Sequence, residues 1–222
     1  MAQQIDEFPF KQVRLRPYGE RGFLLDGFGE GQRASIEQNL TSYAPEALED
    51  FVWGADNCLL LFVRPVEKAI LRAWLDGLRR APVSTAVVAR RIEVPVIYDG
   101  ADLKAVAKAT GLSQAEVVAI HSAPDYRVRM MGFTPGFPYL DGLDPRLHLE
   151  RKASPRDRIE PGAVAIGGSH AGIYSVASPG GWHLLGRTEL RLFRPELAIG
   201  PDCEARHIFT LAAGDTVRFI PN

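Results

Sequence analysis

From Asp125 onward the apolar residues come in short runs, Tyr126–Met131, Ala163–Ile166, Gly172–Val176, Trp182–Leu185 and Thr216–Ile220, each bounded by Gly, Pro or Asp. Frequent short strands with that punctuation fold as a β-barrel or sandwich. Among them lie three loops, GFTPGFPYLDGL at 132–143, RKASPR at 151–156 and SPGGWHLLGRT at 178–188, which gather glycine, proline, aromatics and arginine. A packed core needs apolar residues at period 2 or 3.6, whereas Gly-Phe-Thr-Pro-Gly-Phe and Ser-Pro-Gly-Gly-Trp set unusual backbone angles and hold large rings at loop tips. Each loop alone reads as a tight turn capped by a core aromatic. Together, in this order, they mark a site.

The first part of the chain is patterned differently. Val13–Arg16 alternates as a half-buried strand, Pro17-Tyr18-Gly19 turns it toward a second strand at Phe23–Asp26, and Ala34, Ile36, Leu40 and Tyr43 give residues 32–43 a helical face. Glu49–Trp53 and Cys58–Val63 read as a second hairpin. With Pro65 as the first helical residue, Ile70, Leu71, Trp74, Leu75 and Leu78 mark a helix through Arg80. Paired strands interleaved with two helices predict a small antiparallel α/β sandwich similar to a ferredoxin-like domain. Arg90–Tyr98 reads as a strand before a helical insert at 101–121, in which Gly111 ends one helix and the capping-box pattern Ser113-Gln-Ala-Glu116 starts the next. A chain of 222 residues, 46% hydrophobic, suits two domains, taken here as 1–88 and 89–222.

A net charge of −1 offers no global field for nucleic acid or anionic lipid, so any charge effect is local. Cys58 and Cys203 have no CxxC spacing and are expected as reduced, buried thiols. No stretch approaches the ~18–20 apolar residues of a membrane span, which predicts a soluble, cytoplasmic protein.

The 5 histidines never share a spacing that would put two on one face, so a histidine metal cluster is unsupported. His121 and His170 are kept as candidates because each borders the unusual loops. Gly167-Gly168-Ser169-His170-Ala171 nearly spells a nucleophile elbow but lacks the last glycine and a following helix, which argues against a hydrolase triad. Neither a P-loop nor a G-x-G-x-x-G fingerprint occurs, so an ATP site is expected to take part of its lining from another chain. The Ser178–Trp182 turn is the best backbone anion cradle, and Arg129, Arg156 and Arg187 form a candidate oxyanion site.

In order, Tyr98-Asp99-Gly100, Gly132-Phe-Thr-Pro-Gly-Phe137, Leu140 through Leu143, Pro155-Arg156, Pro161-Gly162-x-Val164-Ala165-Ile166, Gly172-Ile-Tyr174, Ser178-Pro-Gly-Gly-Trp182, Gly186-Arg-Thr188 and Gly214-Asp215-x-Val217-Arg218-Phe219 resemble the KipI/PxpB family, also called allophanate hydrolase subunit 1. The likeness covers nearly the whole chain. It departs from the family pattern at His170 and Ser175. It implies an α+β chain in which the N-terminal domain precedes a cyclophilin-like β-barrel domain. It also implies one subunit of an ATP-dependent 5-oxoprolinase converting 5-oxo-L-proline to L-glutamate, inactive without its partners. Those partners are an allophanate hydrolase subunit 2-type (PxpC-like) subunit and a LamB/YcsF-type (PxpA-like) subunit. ATP is then a co-substrate whose site is shared with a partner. Two alternatives stay open: half of a biotin-dependent carboxyltransferase of the urea carboxylase type, and a KipI-like histidine kinase inhibitor.

Coupling a lactam to ATP points to phosphorylation of the amide oxygen before water opens the ring, a step that needs charge stabilisation more than a protein nucleophile. The expected catalytic set is His121, Arg129, Arg156 and Arg187. The expected substrate-binding set is Phe133, Thr134, Pro135, Gly136, Phe137, His170, Tyr174, Ser178, Pro179, Gly180, Gly181, Trp182 and Thr188, in which the 178–182 turn supplies N–H donors and Phe133, Phe137 and Trp182 exclude water. No metal is expected.

Overall fold

The computed structural model describes residues 10–78, 90–198 and 205–222, and the chain divides into two compact units, Met1–Val88 and Ala89–Asn222. In the first unit β1 (Arg14–Tyr18), β2 (Gly22–Asp26), β3 (Leu48–Trp53) and β4 (Asn57–Phe62) form an antiparallel sheet in the order β1-β2-β4-β3. Helices α1 (Glu30–Ser42) and α2 (Lys68–Asp76) bury Ile36, Leu40, Leu71 and Leu75 against Leu15, Leu25, Cys58, Leu60 and Phe62 of the strands. The period-2 burial of Cys58, Leu60 and Phe62 shows that only one face of β4 enters this core. Burial also pushes the Cys58 thiol up to about 12, which makes it an unreactive core group. Cys203 lies outside the described residues.

Two expectations change here. The described elements run ββαββα, with each strand pair a sequential hairpin, whereas a ferredoxin-like unit runs βαββαβ. The second helix starts at Lys68 behind the N-cap Glu67, so Pro65 precedes it, and Asp76 ends it before Gly77. Its stripe is narrower than expected, since Ile70 is exposed.

The second unit begins with β5 (Arg91–Val96), α3 (Leu103–Thr110) and α4 (Gln114–Ser122). Gly111 takes the left-handed C-cap position of α3. Ser113 Oγ accepts from the Glu116 N–H at 3.2 Å, and Glu116 Oε2 accepts from the Ser113 N–H at 2.8 Å, which completes the capping box. Ser113→Ala should therefore cost about 1 kcal/mol, read as a lower urea midpoint. An unchanged midpoint would mean that water serves as well as the hydroxyl.

The strands that follow are β6 (Tyr126–Met131), β7 (Pro138–Asp141), β8 (Arg156–Ile159), β9 (Ala163–Gly167), β10 (His170–Ile173), β11 (Ser178–Gly180) and β12 (His183–Arg187). A short helix, α5 (Ala205–Ile208), and β13 (Thr216–Pro221) end the chain. Seven strands form one sheet in the order β12-β9-β10-β7-β6-β13-β5, with β13 and β5 parallel and every other pair antiparallel. Its two ends meet through the bridge of Ile97 and Arg187, whose N–H groups donate to each other's carbonyls at 2.9 Å. The sheet is thereby a nearly closed barrel. Gly186 permits this approach, because a Cβ there would lie 2.3 Å from the Ile97 carbonyl oxygen.

Alternation assigns the faces. Val94 and Val96, Tyr126 and Val128, Val164 and Ile166, Ala171 and Ile173, and Val217 and Phe219 point into the barrel, where Leu103, Val106 and Val117 from the helices join them. The intervening residues of β7, β9 and β10 face outward and carry a second, aromatic cluster.

Candidate functional site

The Gly132–Phe137 loop joins β6 to β7. Within it the Thr134 N–H donates to the Gly132 carbonyl at 2.8 Å and the Phe137 N–H to the Thr134 carbonyl at 3.1 Å. Phe133 takes φ of 68°, a left-handed conformation that costs a bulky residue energy, and its ring is left 57% exposed. Ser175 Oγ donates to the Pro135 carbonyl at 2.6 Å and so ties the loop to the end of β10. The loop drives Phe137 onto the outer barrel face, where its ring centroid lies 5.3 Å from Tyr174, 5.5 Å from Trp182 and 5.2 Å from Tyr139.

Trp182 lies flat because two strand positions beneath it have no side chain. A Cβ on Gly172 would fall 2.9 Å from both Phe137 Cζ and Trp182 Cζ3, and one on Gly167 would fall 2.8 Å from the indole. The Arg151 guanidinium stands 5.6 Å above the Trp182 ring, the Lys152 N–H donates to the Gly181 carbonyl at 2.7 Å, and β8 pairs with β11. All three loops singled out in the sequence therefore converge on one aromatic cluster.

The charged groups do not pool as expected. Arg129 Nη1 lies 3.1 Å from Asp141 Oδ2, whose other oxygen is 2.9 Å from His170 Nδ1. Arg156 and Lys152 both donate to Asp102 Oδ1, at 2.8 and 3.0 Å, and the Leu184 N–H donates to Oδ2 at 2.9 Å. Burial works to raise the Asp102 pKa, but the Arg156, Leu184 and Lys152 hydrogen bonds outweigh it and bring it down to about 2. Arg187, 56% exposed, pairs with Asp99 at 2.9 Å beside the barrel seam. The three arginines thus serve three separate carboxylates, because each salt bridge is made by a partner distant in sequence.

His121 is not in the site. Helix α4 carries it into the core, where Nδ1 is 2.8 Å from the Tyr98 hydroxyl and the ring stacks on Phe219 at 4.6 Å. Complete burial pushes the imidazole down to about 3 and keeps it neutral. The Ser178–Trp182 turn is not an open anion cradle either. Ser178, Pro179 and Gly180 form β11, and the Trp182 N–H interacts with the Tyr174 hydroxyl. Burial raises the pKa of that hydroxyl.

Two clefts of about 560 Å³ flank the cluster. Thr134, Pro135 and Gly136 line one with Phe209 and Leu211; Tyr174, Ser175, Arg187 and Thr188 line the other with Arg191. Among the described residues no group of three His, Cys, Asp or Glu is placed to hold a metal. The residues the sequence did not assign to the site are Tyr139, Asp141, Asp102 and Arg151. Tyr139 and Asp141 do lie inside the first flagged loop, at alternate positions, and Arg151 opens the second.

Residues 13–199 match the carboxyltransferase domain, subdomain C and D. The chain belongs to this family. It is 47% identical to a 5-oxoprolinase subunit of Escherichia coli O157:H7 over 136 residues, which are 60% of this chain and 58% of that protein. The match thus spans little more than half of the relative's length. The crystal structure of TTHA0988 superposes with a TM-score of 0.75 at 38% identity, covering 91% of this chain and 40% of that one. The K. lactis urea amidolyase shares the fold, with a TM-score of 0.75 at 18% identity over 98% of this chain and 15% of that one. The aromatic face and its charged rim all lie within the part of the chain that matches the carboxyltransferase C and D family. Among the described residues no helix is long and apolar enough to cross a membrane.

Proposed function

We propose that this chain is a subunit of an ATP-dependent 5-oxoprolinase, and that it works with a PxpC-like and a PxpA-like subunit. The observation that carries the reading is the 47% identity to a 5-oxoprolinase subunit over 136 residues. The geometry fits it. A small lactam needs an apolar face that excludes water together with charged donors at its edge, and the outer barrel face supplies the partly exposed Tyr139, backed by the buried Phe137 and Trp182, beside Arg151 and the Arg129, Asp141 and His170 group. Phosphorylation of the lactam oxygen makes the ring carbon open to water, and ATP binds in a site completed by a partner. The barrel is proposed to be of the cyclophilin-like type, and the protein to be cytoplasmic.

The test is ATP-dependent release of glutamate from 5-oxoproline by the chain alone and with both partners. Glutamate only from the complete mixture is the expected result; none from a verified complex rejects the reading. The family description and the fold shared with urea amidolyase favour a second reading, carboxyl transfer to a urea-like amide. A carboxybiotin-dependent activity of the same complex in place of glutamate release would establish it.

A further inference from the structure

We propose that His170 is the proton-transfer group of this site and Asp141 its positioning residue, an inference that rests on the 5-oxoprolinase reading and adds a role to it. Strand β7 sends Leu140 into the barrel and leaves Tyr139 and Asp141 on the outer face. In the adjacent ladder Ala171 pairs with Leu140 and Gly172 with Tyr139, which sets His170 beside Asp141. On the other side β6 has a register shift between Val128 and Met130, and the residue it skips is Arg129. Such a bulge re-aims a side chain, and here Arg129 Nη1 comes to 3.1 Å from Asp141 Oδ2. Among the described residues each carboxylate oxygen then has a neighbour: Arg129 on Oδ2, and His170 Nδ1 at 2.9 Å from Oδ1.

A carboxylate at that place keeps the imidazole proton on Nδ1 and leaves the Nε2 lone pair free to accept one. Nδ1 is buried while the His170 side chain is 30% exposed, so the open edge of the ring is the Nε2 edge. The Nδ1 approach lacks the linearity of a hydrogen bond, as catalytic pairs commonly do until substrate aligns them. Tyr139 stands edge-on at 6.3 Å from His170 and continues to Trp182 at 5.8 Å, so the open edge adjoins the aromatic face proposed to hold the lactam. As the water oxygen bonds to the activated ring carbon, a water proton passes to Nε2. When the carbon–nitrogen bond breaks, its electron pair goes to nitrogen, which takes that proton back from Nε2–H; the second water proton leaves to solvent as the new carbonyl forms, and a second water then splits the resulting acyl phosphate into glutamate and inorganic phosphate.

Two measurements decide the matter. In the assembled complex His170→Ala should lower kcat by about 10²- to 10³-fold, with partial rescue by added imidazole. Turnover within about twofold of the parent would overturn the role. In the chain alone, ¹⁵N spectra of the imidazole should show the proton on Nδ1, and Asp141→Asn should abolish that preference and cost the complex about tenfold in kcat. A proton on Nε2 in the parent protein would overturn the positioning role. If the verified parent complex forms no glutamate, the oxoprolinase reading fails, while the spectra still decide whether the pair exists.

Discussion

Trp182→Ala is expected to destabilise the second unit by about 3–5 kcal/mol and to abolish glutamate formation in the assembled complex. The indole is 4% exposed and touches Phe137 and Tyr139 with centroids 5.5 and 5.8 Å away, over a floor made of Gly167 and Gly172. No side chain rises from that floor to refill the space, so alanine leaves a cavity whose lining loses its contacts outright. The same truncation removes the platform under the Arg151 guanidinium. Trp182→Phe should lose less, because a ring still covers Gly172. Urea unfolding followed by circular dichroism reads the effect, and a loss below about 1 kcal/mol for Trp182→Ala would show that the cluster collapses around the gap.

Asp102→Ala should be of similar size, about 3–5 kcal/mol, because it strips one carboxylate from Arg156, Lys152 and the Leu184 N–H together. That carboxylate ties the residue preceding α3 to β12, and so the helix to the barrel. Its titration has a definite sign. The folded pKa of about 2 lies below the ordinary 3.8, so the unfolded chain binds the proton first as pH falls. The stabilisation is complete above pH 4 and fades between pH 4 and 2, a loss of roughly 2 kcal/mol. His121 acts in the same direction over a higher window. Burial takes it from 6.5 to about 3, so protons favour the unfolded chain as soon as pH drops below 6.5. Stability measured from pH 8 to pH 2 should therefore fall below pH 6.5 and fall more steeply below pH 4, where the Asp102 loss adds to that of His121. Asp102→Asn should remove the added steepness and leave the His121 slope, and a profile whose steepness below pH 4 survives Asp102→Asn unchanged would reject the assignment.

Which strands were legible depended on what their residues do. Tyr126–Met131 and Thr216–Ile220 were readable from alternation alone because one face of each enters the barrel. β7, β8 and β11 were hidden, since Pro138, Pro179 and Gly180 are turn residues by local chemistry and became strands only because a neighbouring strand supplied the ladder. The capping box at Ser113 was legible for the opposite reason, its two partners being three residues apart. The same limit explains the charges. Arginines can be counted along a chain, but Asp102 is 54 residues from Arg156 and Asp99 is 88 from Arg187, and no local pattern joins them.

The order of the glycine, proline and aromatic motifs by itself determined the family and the mixed α/β class, and marked the stretch proposed here to carry the site, because tight turns and loop-tip rings are local properties of the chain. The tertiary structure alone decided that Arg129, Arg156 and Arg187 part company, that His121 belongs to the core and that Asp141 stands beside His170. Those outcomes follow from register and barrel closure, which bring together groups whose separation in sequence carries no information about their distance in space.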